Sequence, residues 1–251
     1  MRFAVLQHAG FEHAGILRDF MRADGIAFDV VALDDGDALP ILDPYDALII
    51  LGGPMGPLDY GGHPWLTDEI ALIHEAIVER SLPTLGICLG HQLMAQALGG
   101  TLALPGHTEV GVVEITLNEA GRRDPLFAGW ESPSPGLQWH EWQVKELPPG
   151  AIPLAHSTAC QIQAMRVAPR AWGVQFHIEV YDGTIDEWLA PEGHELELQG
   201  ILGPDARKNF SSQAAQNMTR LNRDARRLYD NFTALARLPM VAVEAQTKRH
   251  A

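Results

Sequence analysis

Three residues in two short stretches could together perform nucleophilic chemistry. The stretch GICLGHQ (86–92) contains Cys88, one of two cysteines, and GVQFHIEV (173–180) contains His177 and Glu179. A thiolate can attack an acyl carbon when an imidazole serves as its base and a carboxylate orients that imidazole. His177 and Glu179 are two residues apart in a strand-like run, which places their side chains on one face. The sequence therefore predicts a Cys88–His177–Glu179 triad.

The residues around Cys88 predict a sharp turn between a strand and a helix. The apolar run PTLGIC (83–88) leads into Cys88, and a helical apolar pattern follows it up to Gly99 and Gly100. Gly86 and Gly90 flank the cysteine in the G-x-nucleophile-x-G spacing, and the absence of Cβ atoms allows the backbone to turn closely. The N-terminus of the following helix favours the thiolate. These features favour a nucleophile.

Two other interpretations of Cys88 stay open. An isolated cysteine in an apolar stretch is most often a small core residue. A metal site could use Cys88 with His91, but no second Cys/His pair has ligand spacing, and Cys160 is remote in the sequence. We therefore expect no metal.

The stretch GGPMG (52–56) supplies candidate oxyanion donors. It follows a continuous apolar run, DALIIL (46–51), that is typical of a strand buried on both faces. A glycine there leaves a backbone N–H free to approach a developing oxyanion, so we predict donors at Gly53 and Leu89. A lone GGP turn would carry little information, since most are only turns.

The elements that must position these residues indicate an α/β fold. In the first 100 residues, short apolar runs alternate with amphipathic stretches, which predicts a mostly parallel sheet with helices on both sides. After residue 101 the strand-like runs follow one another with little helix between them, and residues 206–237 show a helical pattern. We predict a single domain over 1–238 and a frayed tail over 239–251.

Taken together, the motifs resemble those of class I (triad) glutamine amidotransferases, especially the GMP-synthase type: GGPMG, GICLGHQLMAQALGG and GVQFHIE occur in the family's order over residues 1–190. The resemblance implies a flavodoxin-like, mostly parallel central sheet with an antiparallel extension. It implies that Cys88 attacks the γ-amide of glutamine and forms a γ-glutamyl thioester, with His177 as base and then acid and Glu179 orienting His177. It further implies substrate contacts from Gln92 and from the loop at Gly56. No cofactor is expected.

The sequence departs from the GMP-synthase pattern before the histidine of the triad. Family members commonly have His-Gly-Asp there, whereas this chain has WHEW (139–142). We predict that His140 and Trp142 contact the substrate, which suits a γ-glutamyl conjugate as well as glutamine. Glu141 and Trp142 replace the small and acidic residues, which puts ordinary coupling to a synthetase partner in doubt, and we see no nucleotide-binding half after the H-x-E stretch. A homo-oligomer and a synthetase or acceptor subunit stay open as partners.

Composition narrows the function classes. The net charge is −14, from 18 basic and 32 acidic residues, which disfavours nucleic acid and anionic membranes as partners. Two cysteines cannot form a disulfide framework, and no apolar stretch is long enough to span a bilayer. Composition thus favours a cytoplasmic setting, whereas the motifs and the family they resemble imply a thiol hydrolase. The alternatives are a non-catalytic regulatory or binding protein on the same fold and a DJ-1/PfpI-like cysteine hydrolase.

Overall fold

The computed structural model describes residues 1–239, so the predicted frayed tail lies outside the described residues except for Pro239. The strands, in chain order, are β1 (Arg2–Gln7), β2 (Ala27–Ala32), β3 (Ala47–Ile50), β4 (Thr84–Ile87), β5 (Thr101–Ala103), β6 (Glu109–Leu117), β7 (Ser134–His140), β8 (Gln143–Glu146), β9 (Ile152–His156), β10 (Ala164–Ala168) and β11 (Ala171–Val174). The α-helices are α1 (Gly15–Ala23), α2 (Trp65–His74), α3 (Leu89–Ala97), α4 (Glu119–Arg123), α5 (Thr184–Trp188), α6 (His194–Leu202) and α7 (Ala206–Arg237).

The central sheet is mostly parallel, as the alternation of elements predicts. Nine of the eleven described strands form one sheet in the order β2-β1-β3-β4-β11-β10-β9-β6-β7, and β5 and β8 form a separate two-stranded sheet. Strands β2, β1, β3, β4 and β11 pair in parallel, and β10, β9, β6 and β7 add an antiparallel extension. Counted along the chain, the parallel strands have the order 2-1-3-4-5 of a flavodoxin-like fold. The predicted fold class is confirmed.

Helices cover both faces of this sheet, because its central strands are apolar on both sides. All four residues of β3 and of β4 are buried. Helices α1 and α7 pack on one face, and α2 and α3 on the other. The long helix α7 has the range that its three- and four-residue apolar spacing predicts, and buries residues such as Leu221, Leu228 and Phe232.

The sequence predicts a helix that Thr67, Asp68 and Glu69 open and that has Val78 on its inner side. Both details are wrong, because helix α2 begins at Trp65 and Val78 is 53 % exposed. The chain turns into a π-helix at Glu75–Glu79, and the wider turn rotates the following side chains away from the face that regular α-helical spacing gives.

The strand-like run GVQFHIEV is also shorter as a strand than expected. Strand β11 ends at Val174, and the chain continues with a single bridge between Leu137 and His177. His177 and Glu179 therefore follow the carboxyl end of a parallel strand, as Cys88 follows β4 and Gly52 follows β3. Ligands of open α/β sheets bind at this edge. Within residues 1–239, no helix is both long and apolar enough to cross a membrane.

Candidate active site

Cys88 lies in the turn between β4 and α3 with an unusual backbone conformation. Its φ is +51° and its ψ is −105°, a region that costs a non-glycine residue energy and that clusters at functional sites. The turn is packed too tightly for side chains at its glycines: a Cβ at Gly86 would lie 2.6 Å from the carbonyl of Gly90, and one at Gly90 would lie 2.3 Å from the Ile50 oxygen. The G-x-C-x-G spacing is thus a steric requirement.

His177 and Glu179 form a buried hydrogen-bonded pair beside Cys88. The Nδ1–H of His177 donates to Oε1 of Glu179 over 2.6 Å, which leaves Nε2 as the ring nitrogen that can act as a base. Burial alone would lower the pKa of His177, but the charges of Glu179 and Cys88 raise it well above its ordinary value. The amide Nε2 of Gln175 also donates to the Cys88 sulfur at 3.5 Å. The surroundings favour the imidazolium form of His177.

Glu179 is fixed through its backbone by the start of α1. The N–H of Ile16 donates to the Glu179 carbonyl oxygen over 2.8 Å. A Cβ at Gly15, whose φ is +41°, would overlap that oxygen at 1.7 Å, so only glycine fits there. The first helix thereby holds the carboxylate that orients His177.

The glycine loop after β3 lies directly against the triad. A Cβ at Gly52 would lie 3.1 Å from Cε1 of His177 and 3.6 Å from Cβ of Cys88. Gly53 faces the pocket. Leu89 is the first residue of α3, and the N–H groups of a first helical turn have no partner within the helix. Both predicted oxyanion donors thus adjoin Cys88.

The predicted substrate-contact residues are linked through one carbonyl group. The Trp142 oxygen accepts hydrogen bonds from Nε2 of Gln92 at 2.8 Å and Nδ1 of His140 at 2.9 Å. The other nitrogen of His140 pairs with Glu109 at 2.9 Å, so both of its ring nitrogens are engaged within the protein. The Trp142 indole lies over Gly56, where a Cβ would be 3.3 Å from Nε1.

These groups open into one cavity of about 840 Å³, counted with the space at its mouth. The cavity brings together seven predicted site residues: Gly53, Gly56, Cys88, Gln92, His140, Trp142 and His177. Glu179 and Leu89 lie behind its wall, 4 % and 1 % exposed.

Several wall residues were missed by the sequence analysis. Phe11 and Glu12 come from the segment after β1, and Trp188, His194 and Glu197 from α5 and α6. Burial and the nearby Glu179 charge raise the pKa of Glu12 to about 7, against the lowering effect of His177. The position of Glu12 just beyond a parallel strand was a usable signal, since sites form at that edge. The α5–α6 residues carry no motif.

A second buried group adjoins the pocket wall. Ligand atoms of Glu109, His140 and Cys160 lie within 4.8 Å of one another, a grouping that the sequence spacing did not indicate. The Glu109 carboxylate also accepts hydrogen bonds from Ser157 and Gln163, and burial raises the pKa of Cys160 to about 12. The Glu109 carboxylate, with Ser157, Gln163 and His140 as partners, forms a hydrogen-bond network that supports the Trp142 turn. The expectation of no metal stays a prediction.

Comparison with known proteins agrees with this geometry. The model of the family "Glutamine amidotransferase class-I" matches residues 12–192. The chain belongs to the class I glutamine amidotransferases. Over 237 residues this amidotransferase is 30 % identical to the glutamine amidotransferase-like protein YfeJ of Salmonella typhimurium, covering 93 % of this chain and 98 % of that protein. It is 32 % identical over 183 residues to a GMP synthase of Pyrobaculum aerophilum, covering 72 % of this chain and 33 % of that one.

Solved structures extend the similarity across the amidotransferase. A glutamine amidotransferase of Thermotoga maritima superposes with a TM-score of 0.83 and 26 % identity, over 95 % of this chain and 99 % of that one. A glutamine amido transferase of Methylobacillus flagellatus superposes with a TM-score of 0.82 and 28 % identity, over 93 % of this chain and 94 % of that one. These matches cover nearly the whole amidotransferase chain, whereas the family model ends at residue 192.

Proposed function

We propose that the protein hydrolyses the γ-amide of glutamine or of a γ-glutamyl compound through a Cys88–His177–Glu179 triad. The observation that carries this proposal is that the elbow cysteine lines one cavity with a histidine whose Nδ1 is held by Glu179. Membership of the family supports it as well.

The first half-reaction forms a thioester. Nε2 of His177 takes the proton of the Cys88 thiol as the sulfur attacks the γ-carbonyl carbon. The carbonyl π electrons move onto oxygen, where the N–H groups of Gly53 and Leu89 stabilise the negative charge. The tetrahedral intermediate then collapses. Its C–N bond breaks as protonated His177 donates a proton to the leaving nitrogen, which departs as ammonia or an amine.

The second half-reaction restores the cysteine. Neutral His177 removes a proton from a water molecule as the water oxygen attacks the thioester carbon, and the same oxyanion donors serve again. Collapse breaks the C–S bond, and the sulfur leaves as the thiolate beside imidazolium His177. The products are glutamate and ammonia or amine, with no redox change.

The cavity wall supports an amine-bearing γ-glutamyl compound as substrate. Three carboxylates, Glu12, Glu141 and Glu197, line it together with the aromatic rings of Phe11, Trp139, Trp142 and Trp188. Among residues 1–239, no lysine or arginine contributes to this wall. A leaving group with a second, cationic amine would find opposite charge and aromatic faces there.

The proposal leaves open a homo-oligomer and a synthetase or acceptor subunit, since the relatives include proteins named GMP synthase, one of which is a single subunit of that enzyme. A reducing compartment such as the cytoplasm suits a reactive cysteine.

Substitution of the nucleophile tests the reaction. We expect Cys88→Ala to abolish release of ammonia or amine, and Glu179→Gln to lower kcat by roughly a thousandfold or more with a small change in KM. A glutamine-like diazo ketone should label Cys88 in the wild type, as located by peptide mass spectrometry. Cys160→Ala serves as the matched control and should retain both activity and label. Labelling at Cys160, or hydrolysis retained in Cys88→Ala, would overturn the proposal.

A further inference from the structure

Behind the glycine loop lies a completely buried pair of titratable side chains. His8 follows β1 and Glu69 lies in α2, and neither side chain is exposed. Nε2 of His8 donates to Oε1 of Glu69 over 2.9 Å. Burying such a pair costs solvation energy that packed apolar residues would not incur. Neither residue lines the cavity, so the pair does not touch the substrate.

The other nitrogen of His8 holds the glycine loop. Nδ1–H donates to the carbonyl oxygen of Gly52 over 2.9 Å. Both ring nitrogens therefore face acceptors, and the Glu69 carboxylate compensates the charge of a doubly donating ring. Although burial alone would lower the pKa of His8, the Glu69 charge contributes to raising it. The imidazole also stacks on Trp65, with ring centroids 5.6 Å apart.

The hydrogen bond from His8 to the Gly52 oxygen sets the orientation of the peptide group between Gly52 and Gly53. In a trans peptide the C=O and the following N–H point in opposite directions, so holding the Gly52 oxygen directs the Gly53 N–H away from His8. The loop cannot rotate easily, since a Cβ at Gly53 would lie 2.8 Å from both Cβ of His8 and Cδ2 of Leu89. Gly53 lines the cavity with Cys88.

We propose that His8, held by Glu69, is a positioning residue that keeps the Gly53 N–H directed at the oxyanion formed at Cys88. The inference rests on the proposed thiol hydrolysis. A hydrogen bond from a charged ring to the Gly52 oxygen polarises the peptide, which strengthens its N–H as a donor. The positive charge of His8 behind the loop also stabilises the negative charge that develops on the oxyanion. Glu69 fixes the orientation of the His8 ring, and its carboxylate compensates the positive charge of the protonated ring in the protein interior.

A matched pair of double variants isolates this contact. His8→Asn with Glu69→Gln and His8→Leu with Glu69→Gln both remove the buried charges and have residues of similar size at position 8. Only the asparagine amide can still donate to the Gly52 oxygen. We measure kcat and KM for γ-glutamyl amides, together with the rate at which iodoacetamide alkylates Cys88, a reaction without an oxyanion. Asp224→Asn, which alters a buried hydrogen bond to Ser134 outside the cavity, controls for general loss of stability.

In the double variant His8→Leu with Glu69→Gln, we expect kcat to fall about 100-fold, which is the effect of removing one oxyanion donor. KM and the rate of Cys88 alkylation should stay close to wild type. The asparagine variant should recover at least about tenfold of that loss, and Asp224→Asn should keep wild-type kcat. Equal kcat in the two double variants, or hydrolysis and alkylation that fall together, overturns the inference and leaves the proposed function intact. A wild-type protein that hydrolyses no γ-glutamyl amide overturns the proposed function, and the inference with it.

Discussion

At the scale of single residues, the pocket combines acids and bases whose protonation depends on one another. Glu12 contributes a carboxyl group close to the charges of His177, Glu179 and His8, and burial is the largest cause of its raised pKa. One pKa unit corresponds to about 1.4 kcal/mol of differential interaction. The carboxyl group of Glu12 thus couples the stability of the fold to pH near neutrality.

The direction in which stability changes with pH depends on whether the folded or the unfolded state binds the proton more tightly. The pKa of Glu12 rises from 4.5 to about 7 on folding, so between these values the folded protein binds a proton that the unfolded chain has lost. The contribution of Glu12 to stability is thus intact below pH 4.5 and falls as the pH rises toward 7. We expect Glu12→Gln to gain stability over wild type across this window, by at most about 3 kcal/mol, as measured by urea unfolding at stepped pH. A stability difference that stays constant from pH 4.5 to 8 would contradict the assignment.

At the scale of elements, the segment that contains α5 and α6 contributes wall residues to the pocket at the edge of the central sheet. Trp188 ends α5, and its ring lies 4.6 Å from the His177 ring, centroid to centroid, in an edge-on arrangement. The hydrophobic cluster beneath α5, α6 and α7 buries Leu198 and Phe210, and so anchors this segment to the long helix. The segment therefore packs an aromatic ring directly against the His177 imidazole.

Trp188→Ala tests this role of the segment. We expect kcat to fall roughly tenfold or more, because small displacements of a reacting group are costly. Trp130→Ala is the matched control: Trp130 is also buried, 8 % against 5 % exposed for Trp188, and packs on Phe127 and Phe176. Both changes should lower stability by a few kcal/mol, so kinetics are measured at a temperature where thermal unfolding shows both to be folded. An equal decrease of kcat in both variants would contradict a specific role for Trp188.

At the scale of the whole molecule, charge and pocket chemistry point to the same kind of substrate. The chain carries a net charge of −14, and such a field raises the local concentration of cationic ligands at low salt. The carboxylates of the cavity continue this negative potential into the site. A monocationic γ-glutamyl diamine gains from both, whereas glutamine has no second amine.

Purified protein alone should therefore prefer such a substrate. We expect a higher kcat/KM for a γ-glutamyl diamine than for glutamine, with a preference that shrinks as salt screens the field. Trp142→Ala should reduce the preference about fivefold, since one aromatic contact is worth about 1 kcal/mol. Activity that appears only after cell extract is added, together with an unchanged substrate ranking in Trp142→Ala, would instead support dependence on a partner protein.

The features of this protein that depend on local chemistry were predictable from its residues alone. The apolar runs of β3 and β4 indicated a parallel, two-sided sheet, because only a strand covered on both faces tolerates such composition. The glycines around Cys88 indicated the elbow, since the steric need for hydrogen at Cα is local. Once both features were recognised, the ends of β3 and β4 had to meet at one edge of the sheet.

The contacts between distant residues behind and above that edge depend on tertiary packing. His8 and Glu69 are 61 residues apart and carry no shared motif. Trp188 contacts His177 from the segment of α5 and α6, which carries no motif either. Spacing along the chain reports which side chains share a face, but contact between faces depends on how the crossover helices pack on the sheet. The grouping of Cys88, His177 and Glu179 at one edge of the sheet was therefore accessible from sequence. The contacts of His8 with the glycine loop and of Trp188 with His177 were not.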